Sequence, residues 1–421
     1  MIKEYRGLIE KGGFTTSPQS RQAAVDFILR NAPDIDFDFE DPDELFELIK
    51  IMLDRDDARS FKILLNSGYG INTVNAKFET VFTKDYTWFY KKLDFIKAAR
   101  EAGADFTKRN KSGKNFFSIA FSQITEDGIK DYLFSLPEFD NEKHQVQYNG
   151  KLLFHLAVDA GNRQSQYTGK TSDLYTVRKF IDSGFDVDTP YSGQEYHFSP
   201  IITQRAIHLA CENLSTEAVK LLLQHGADPL YPTSDGRTPI DIVLERDKRG
   251  GHVDVRGDTK KVRQQLLDAI AEFIPQERRQ EALTKCFFNM MTQASTSANR
   301  CFFAEEIAIK LLNMGAAVDR TADDGTTALH MAARCGNFEI YKACVKAGLD
   351  INAKNNNGDT PVLLAAAARQ DKIIMSLIKL GADTDAVNLR GDTVLDILTK
   401  HGNAPLIEYM LDKAGSPRGQ Y

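Results

Sequence analysis

Short apolar runs that end in a pair of alanines recur in the C-terminal half of the chain. One run lies within 327–333 and a second lies within 360–366, about 33 residues later. Each run is followed by a longer segment that ends at a glycine, Gly348 in the first copy and Gly381 in the second. The pattern predicts pairs of short helices that repeat along the chain.

Local signals at the ends of these segments support helices. Thr360 is placed to cap the first helix of its pair, and Pro361 follows at the first helical position, where a missing N–H has no cost. Ala365 and Ala366 are small enough to let this helix approach its neighbour closely. Gly381 comes just after the second helix, where the backbone needs a left-handed conformation.

The two copies also share the residues that lead into each pair. These read Asp324-Gly325-Thr326-Thr327-Ala328-Leu329-His330-Met331-Ala332-Ala333 and Asn357-Gly358-Asp359-Thr360-Pro361-Val362-Leu363-Leu364-Ala365-Ala366. The pattern resembles the ankyrin repeat, a unit of about 33 residues that opens with Thr-Pro-Leu-His-x-Ala. The resemblance implies a stack of helix pairs joined by hairpin-like fingers, and a binding scaffold rather than an enzyme.

The closing glycine can be followed through most of the chain. It occurs at Gly68, Gly103, Gly184, Gly226, Gly315, Gly348 and Gly381. The two longest gaps in this series each leave room for two units. We therefore predict an all-α ankyrin-repeat solenoid of about eleven helix pairs, with irregular inter-helix and finger insertions.

The predicted solenoid is a single domain over 1–421. Its N-terminal cap is 1–41, its repeats are 42–388 and degenerate in the first half, and its C-terminal capping repeat is 389–421. No segment remains for a separate catalytic domain.

Extra residues fall at two kinds of place in the repeats. The insertions 163–173, 249–260 and 293–300 lie between the two helices of their pairs, so they should share one edge of the stack. Tyr191–Thr203 instead enlarges a finger. Insertions in repeat proteins often lie on the binding face, which makes this finger a candidate contact site.

Composition narrows the choice of partner. A formal net charge of −6 argues against nucleic acid as the main partner. No apolar run approaches the ~18 residues of a membrane helix, and the N-terminus lacks the apolar core of a secretory signal. The five cysteines show no CxxC spacing, which predicts no metal site, no cofactor and a cytoplasmic location, in the producing cell or in a host.

Three histidines occupy the same place in their repeats, two residues before an alanine of the opening helix. They are His155, His208 and His330. A catalytic trio is conceivable, but identical repeat positions favour a structural role in which each ring hydrogen-bonds the neighbouring finger.

In the ankyrin family, residues beside the turn glycine and at the end of the first helix contact the partner. Carried onto this chain, the positions are Ser234, Asp235, Arg237, Arg246, Asp323, Asp324, Arg334, Asn356, Asp359, Arg390 and His401. The enlarged finger and its neighbour add an aromatic group: Tyr191, Tyr196, Phe198 and Tyr231. The alternative for these rings is that they fold back and seal a gap over a degenerate repeat.

Three functional interpretations follow. The first is a protein–protein interaction scaffold or adaptor that is monomeric alone and has no catalytic activity, membrane contact or nucleic-acid partner. The second is a translocated bacterial effector with enzymatic activity built from the insertions, which a deep polar cleft would favour. The third is a stoichiometric inhibitor or immunity protein, which differs from a scaffold only in what its partner does.

Overall fold

The structure, a computed structural model, describes residues 42–54, 56–66, 71–75, 79–83, 92–122, 127–145, 147, 150–159, 174–193, 201–244, 258–295 and 301–414. The chain forms two compact units, unit 1 up to Arg237 and unit 2 from Thr238. The predicted cap, 1–41, lies outside the described residues. The single solenoid over 1–421 stays a prediction.

The described residues of unit 1 form short helices and a pair of short antiparallel strands. Its elements are α1 (Pro42–Asp54), α2 (Ala58–Asn66), α3 (Leu93–Glu101), α4 (Phe116–Ser122), α5 (Asp127–Phe134), α6 (Phe139–Glu142), α7 (153–159), α8 (Tyr175–Asp182), β1 (Tyr191–Gly193), β2 (Ile202–Gln204), α9 (Ala206–Glu212) and α10 (Thr216–Gln224). Helix α2 packs on α3, and α9 packs on α10. The mostly helical content agrees with the predicted class.

Buried phenylalanines fill the core of unit 1. Phe180 on α8 is fully buried, and its ring lies at centroid distances of 5.0 to 5.8 Å from five other rings. The five are Phe121, Phe134, Phe139, Phe154 and Phe185. Phe121 stands at the repeat position that holds Ala333 and Ala366 in the regular units, which weakens the repeat pattern in this part of the sequence.

The described ends of the enlarged finger pair as two short antiparallel strands. Tyr191 on β1 pairs with Gln204 on β2. Strand β2 also joins the next finger, because the Ser234 backbone N donates to Thr203 O at 3.0 Å and Thr203 N donates to Ser234 Oγ at 2.9 Å. The described ends of the insertion, 191–193 and 201–203, are therefore part of the finger layer of unit 1.

Unit 2 contains the regular repeats. Its helices are α11 (Pro239–Leu244), α12 (Asp258–Phe273), α13 (Gln276–Ser295), α14 (Cys301–Asn313), α15 (Ala328–Cys335), α16 (Phe338–Lys346), α17 (Pro361–Ala367), α18 (Asp371–Lys379), α19 (Val394–His401) and α20 (Ala404–Ala414). Helices α11, α13, α15, α17 and α19 pack side by side in chain order, and α18 packs on α20 behind them. None of the helices in the described ranges combines the length and the hydropathy needed to cross a lipid bilayer.

The predicted helix caps are confirmed. The Thr360 side chain accepts a hydrogen bond from Leu363 N, and Pro361 begins α17. Gly348 and Gly381 follow their helices with φ values of +76° and +88°, in the left-handed region. Residues with a side chain adopt this region at a cost, so the repeat spacing of these glycines has a direct conformational cause.

One prediction compares two glycines of opposite backbone conformation. Gly348→Ala places a Cβ at a left-handed position and should lower the free energy of unfolding by ~1–2 kcal/mol. Gly128 lies in α5 without a positive φ, and a Cβ there would meet only Leu93 at an ordinary 3.9 Å. Gly128→Ala should therefore be neutral or stabilising by up to ~1 kcal/mol. Chemical unfolding followed by circular dichroism checks both, and equal effects would contradict this account.

The insertions in unit 2 differ from the prediction. The predicted loop 249–260 overlaps α12, which already begins at Asp258, and 249–257 lie outside the described residues. The predicted loop 293–300 begins within α13, a 20-residue helix that continues to Ser295. Polar residues on the outer face of a helix do not end it, which is why both loops were predicted too long at the end that meets the helix. The insertion 163–173 lies outside the described residues.

Candidate protein-binding surface

The regular repeats of unit 2 present three consecutive fingers, numbered in chain order as finger 1 (321–327), finger 2 (354–360) and finger 3 (387–393). Backbone hydrogen bonds join neighbouring fingers. The Asn356 N donates to Asp324 O at 2.8 Å, and the Leu389 N donates to Asn357 O at 2.9 Å. We call the exposed tips of the three fingers the fingertip edge.

Asparagine side chains fix the backbone of the fingers. Asn388 Oδ1 accepts from the backbone N of Arg390 at 2.9 Å and of Asp392 at 3.1 Å. Its Nδ2 donates to Asp359 Oδ1 of finger 2 at 2.8 Å. Asn355 closes finger 2 in the same way. The tips are thus held by internal hydrogen bonds before any partner arrives.

The three repeat histidines tie each opening helix to the next finger. Their Nδ1 atoms accept from backbone N–H groups, those of Leu152, Arg205 and Thr327, at 3.3, 3.0 and 3.2 Å. Their Nε2 atoms meet backbone carbonyls, those of Thr189, Tyr231 and Asp359, at 3.1, 2.8 and 3.0 Å. An N–H can only donate and a carbonyl can only accept, so each ring is neutral with its proton on Nε2. The predicted hydrogen bond to the neighbouring finger is confirmed.

Burial keeps these rings neutral. It lowers the pKa of His155 to about 3, an effect increased by the charge of Lys151 and opposed by the Thr189 carbonyl. Burial also lowers the pKa of His208 and of His330. All three side chains are closed to solvent. They support the fingers from within the fold.

Most of the predicted contact residues of unit 2 are accessible. Asp323, Asp324, Asn356 and Arg390 are exposed on the fingertip edge, and Arg334 and His401 are half-buried at the ends of α15 and α19. The structure therefore brings the four fingertip residues into one continuous row.

Asp324 is the acidic fingertip group with the most internal support. Its Oδ1 accepts from the Thr326 backbone N at 3.0 Å. Partial burial raises the pKa of Asp324. The hydrogen bonds from Thr326 and the charge of Arg334 lower it by more, so the pKa lies below its ordinary value. The carboxylate is therefore charged at neutral pH.

Asp359 requires a correction. It was predicted as a partner contact, but it is only 4 % exposed. Its carboxylate accepts from Asn388 Nδ2, and its carbonyl accepts from His330 Nε2. The carboxylate is bonded by the following repeat and the carbonyl by the preceding one. Asp359 therefore supports the fingertip edge and does not contact a partner there.

In unit 1, Tyr231 lies beside Arg205. Tyr231 is 38 % exposed, and the Arg205 guanidinium carbon lies 3.3 Å from the centroid of its ring. The Arg205 Nη1 also forms an ion pair with Asp188 at 2.9 Å. The other predicted residues nearby are Ser234 and Asp235, both exposed, and Arg237, which is half-buried.

Tyr191 also requires a correction. The predicted aromatic patch joined it to Tyr231, but Tyr191 is only 4 % exposed. Its hydroxyl accepts from Gln204 Nε2 at 2.6 Å, and its ring lies 4.4 Å from the ring of His155. The alternative, in which this ring folds back over the repeats, is therefore the correct one for Tyr191. Tyr196, Phe198 and Arg246 lie outside the described residues.

Family positions alone gave an incomplete account of finger 3. Leu389 is 79 % exposed and Val387 is 48 % exposed, although both are apolar. Val387 was missed because it lies outside the positions that the ankyrin pattern marks as contacts. The sequence did carry a signal for Val387: it is apolar, whereas the equivalent residue of finger 2, Lys354, is polar.

No group of three or more His, Cys, Asp or Glu side chains within the described ranges is arranged to hold a metal ion. Cys211, Cys286 and Cys344 are buried and form no disulfide bond, and Cys335 is half-buried. Burial raises the pKa of Cys344 to about 12, and it also raises the pKa of Cys211 and of Cys286.

Comparison with known proteins identifies the repeats. A family model described as ankyrin repeats (3 copies) matches residues 296–388, and one described as ankyrin repeat matches 204–234. Only about four repeats are recognised in this way, so the predicted count of about eleven pairs is not confirmed.

A segment of the chain is also similar to a CAP-Gly domain-containing linker protein 3 of Xenopus laevis. The two are 39 % identical over 66 residues, which is 15 % of this chain and 12 % of that relative. The match thus spans a small part of the relative. The chain contains ankyrin repeats over 204–234 and 296–388, and these indicate a protein–protein interaction module.

Proposed function

We propose that the chain is a non-catalytic scaffold or adaptor that binds a partner protein through its fingers. One observation carries the proposal: the finger backbone is fixed by internal hydrogen bonds, while the side chains at the tips project into solvent. Asn388 and the repeat histidines supply the fixing bonds. A surface that is ordered before binding loses little conformational entropy on association, which favours affinity.

The proposal places the protein in the cytoplasm, where its thiols stay reduced. Cys211, Cys286 and Cys344 pack in helices as small apolar residues, with their pKa raised by burial, and this suits a structural role. It also takes the protein as monomeric in the absence of its partner.

Capture from native cytosol tests the proposed function. The intact chain serves as bait, beside a matched bait carrying Lys342→Glu, which reverses an exposed charge on α16, away from the fingers. Mass spectrometry should find a protein that both baits capture in equal amounts. The amount captured per bait should reach a plateau as more extract is added. If no protein is held saturably, the proposed function is wrong.

A tyrosine pair separates a contact residue from a supporting one. Tyr231→Ala removes an exposed ring and its stacking with Arg205, so the free energy of unfolding should fall by less than ~1 kcal/mol. If Tyr231 contacts the partner, affinity should fall by ~2 kcal/mol or more. Tyr191→Phe removes the hydroxyl that accepts from Gln204 and should lower stability by ~1 kcal/mol with affinity unchanged. Melting curves give the stability of each variant, and titrations with the captured partner give its affinity. Lost stability in Tyr231→Ala together with lost affinity in Tyr191→Phe would contradict this assignment.

A further inference from the structure

Finger 3 exposes two large apolar side chains at positions that are polar in the other fingers. Leu389 is 79 % exposed and Val387 is 48 % exposed. The position of Leu389 corresponds to Asp323 in finger 1 and Asn356 in finger 2, both exposed. A fingertip that only contacts water gains no stability from a leucine, and neither side chain contributes to the core of unit 2.

The backbone beneath Leu389 is held in place. Its N–H donates to Asn357 O at 2.9 Å. The preceding Asn388 is buried and bonds the backbone on the far side, at Arg390 and Asp392. Leu389 therefore stays at the surface, where it offers apolar area whose burial costs little ordering of the chain.

The opposite end of the fingertip edge is acidic. Asp323 and Asp324 are adjacent and exposed on finger 1. Lys354 lies between the two ends, on finger 2, and is also exposed. The edge thus runs from two carboxylates on finger 1 to an apolar pair and the exposed Arg390 on finger 3, across three fingers joined by backbone hydrogen bonds.

This arrangement disfavours a second copy of the chain as the occupant. A two-fold contact along the whole edge pairs each end with the opposite end of the other copy. The carboxylates of Asp323 and Asp324 would then lie near Leu389 and Arg390 of the other copy, but the middle fingers would place the two exposed Lys354 side chains opposite each other, and like charges directly opposed are unfavourable.

We propose that the fingertip edge docks one segment of a partner protein, which places an apolar side chain against Val387 and Leu389 and a lysine or arginine beside Asp323 and Asp324. The inference rests on the proposed protein-binding function and names the chemistry of the partner. The apolar contact supplies most of the affinity, and the charged contact sets the direction of the segment along the edge.

Panning of a random peptide library against the immobilised full-length chain tests the proposal. The enriched peptides should combine a large apolar residue with a lysine or arginine at a constant spacing. A synthetic peptide of the enriched sequence is then titrated against the wild type and three variants. The matched control is Leu411→Asn, because Leu411 is an apolar residue on α20 that is 60 % exposed and lies outside the three fingers.

The expected pattern is specific. Leu389→Asn should weaken peptide binding about tenfold or more, since it removes most of the buried apolar area. Replacing both Asp323 and Asp324 by asparagine should weaken binding severalfold and reduce its dependence on salt. Leu411→Asn should leave the dissociation constant unchanged, and both leucine variants should melt like the wild type because the changed side chains are exposed.

Several outcomes would overturn the proposal. Enriched peptides that bind Leu389→Asn as well as the wild type would place docking elsewhere, and the protein-binding function would stand. Equal losses in Leu389→Asn and Leu411→Asn would do the same. A dimer in sedimentation experiments that Leu389→Asn dissociates would make a second copy the occupant. If neither peptides nor cytosolic proteins bind saturably, the proposed function fails together with the inference.

Discussion

Acidification from about pH 6.5 to about pH 4.5 should lower the free energy of unfolding of unit 1 by roughly 3 kcal/mol or more. The cause is His155, whose pKa is lowered to about 3 by burial. Below about pH 6.5 the unfolded chain binds a proton on this residue and the folded chain does not, which costs ~1.4 kcal/mol of stability for each pH unit. His208 adds to the loss, since burial lowers its pKa as well.

The pH range in which stability is lost distinguishes the buried histidines from the carboxylates. A histidine with a lowered pKa leaves stability unaffected above about pH 6.5, and stability is lost as pH falls. The carboxylates with lowered pKa in unit 1, such as Asp131, lose their contribution only below about pH 4. Protonation also places a new N–H at Nδ1 against the N–H of Leu152, which has no acceptor to offer.

His155→Gln is the control for this prediction. An amide can accept from Leu152 N or donate to Thr189 O, but it does not titrate in this range. The variant should be less stable at neutral pH, with a pH slope smaller by ~1.4 kcal/mol per unit. Denaturant unfolding at several pH values gives both slopes. Equal slopes for the wild type and the variant would show that His155 does not cause the acid sensitivity.

Phe180→Ala should have a comparable effect, with unit 1 losing ~3–5 kcal/mol of stability. Phe180 is fully buried among the rings of Phe121, Phe134, Phe139, Phe154 and Phe185. Truncation removes the transfer free energy of the ring and leaves a cavity between helices that cannot fully collapse. A loss of this size is a large share of the stability of an ordinary domain.

Phe273→Ala is the matched control, because Phe273 at the end of α12 is 36 % exposed. It should cost less than ~1 kcal/mol, since much of its ring already contacts water. Both variants are compared with the wild type by thermal and denaturant unfolding. Similar losses in the two would mean that the phenylalanine cluster is not the core of unit 1.

The parts of the fold that the sequence predicted correctly are those with local causes. The cap by Thr360, the proline that begins α17 and the left-handed Gly348 and Gly381 each depend on residues within one helical turn. The role of the repeat histidines was also predictable, because their bonding geometry repeats with the pattern.

The errors have long-range causes. Asp359 is buried because Asn388, 29 residues later, bonds its carboxylate. Tyr191 is buried because Gln204, 13 residues later, bonds its hydroxyl and His155 lies against its ring. The ankyrin pattern indicates which positions contact partners in the family. Whether a given side chain is exposed depends on contacts with residues distant in the sequence.

Hydrogen exchange of the intact chain, alone and with its captured partner, tests the central claim most directly. A partner that docks on the fingers should slow exchange of the amides in 321–324, 354–357 and 387–390, because it suppresses local opening of these tips. Exchange in the outer helices α16 and α18 should not change. Slowing confined to α16 and α18, with the fingertip amides unaffected in the complex, would contradict the account.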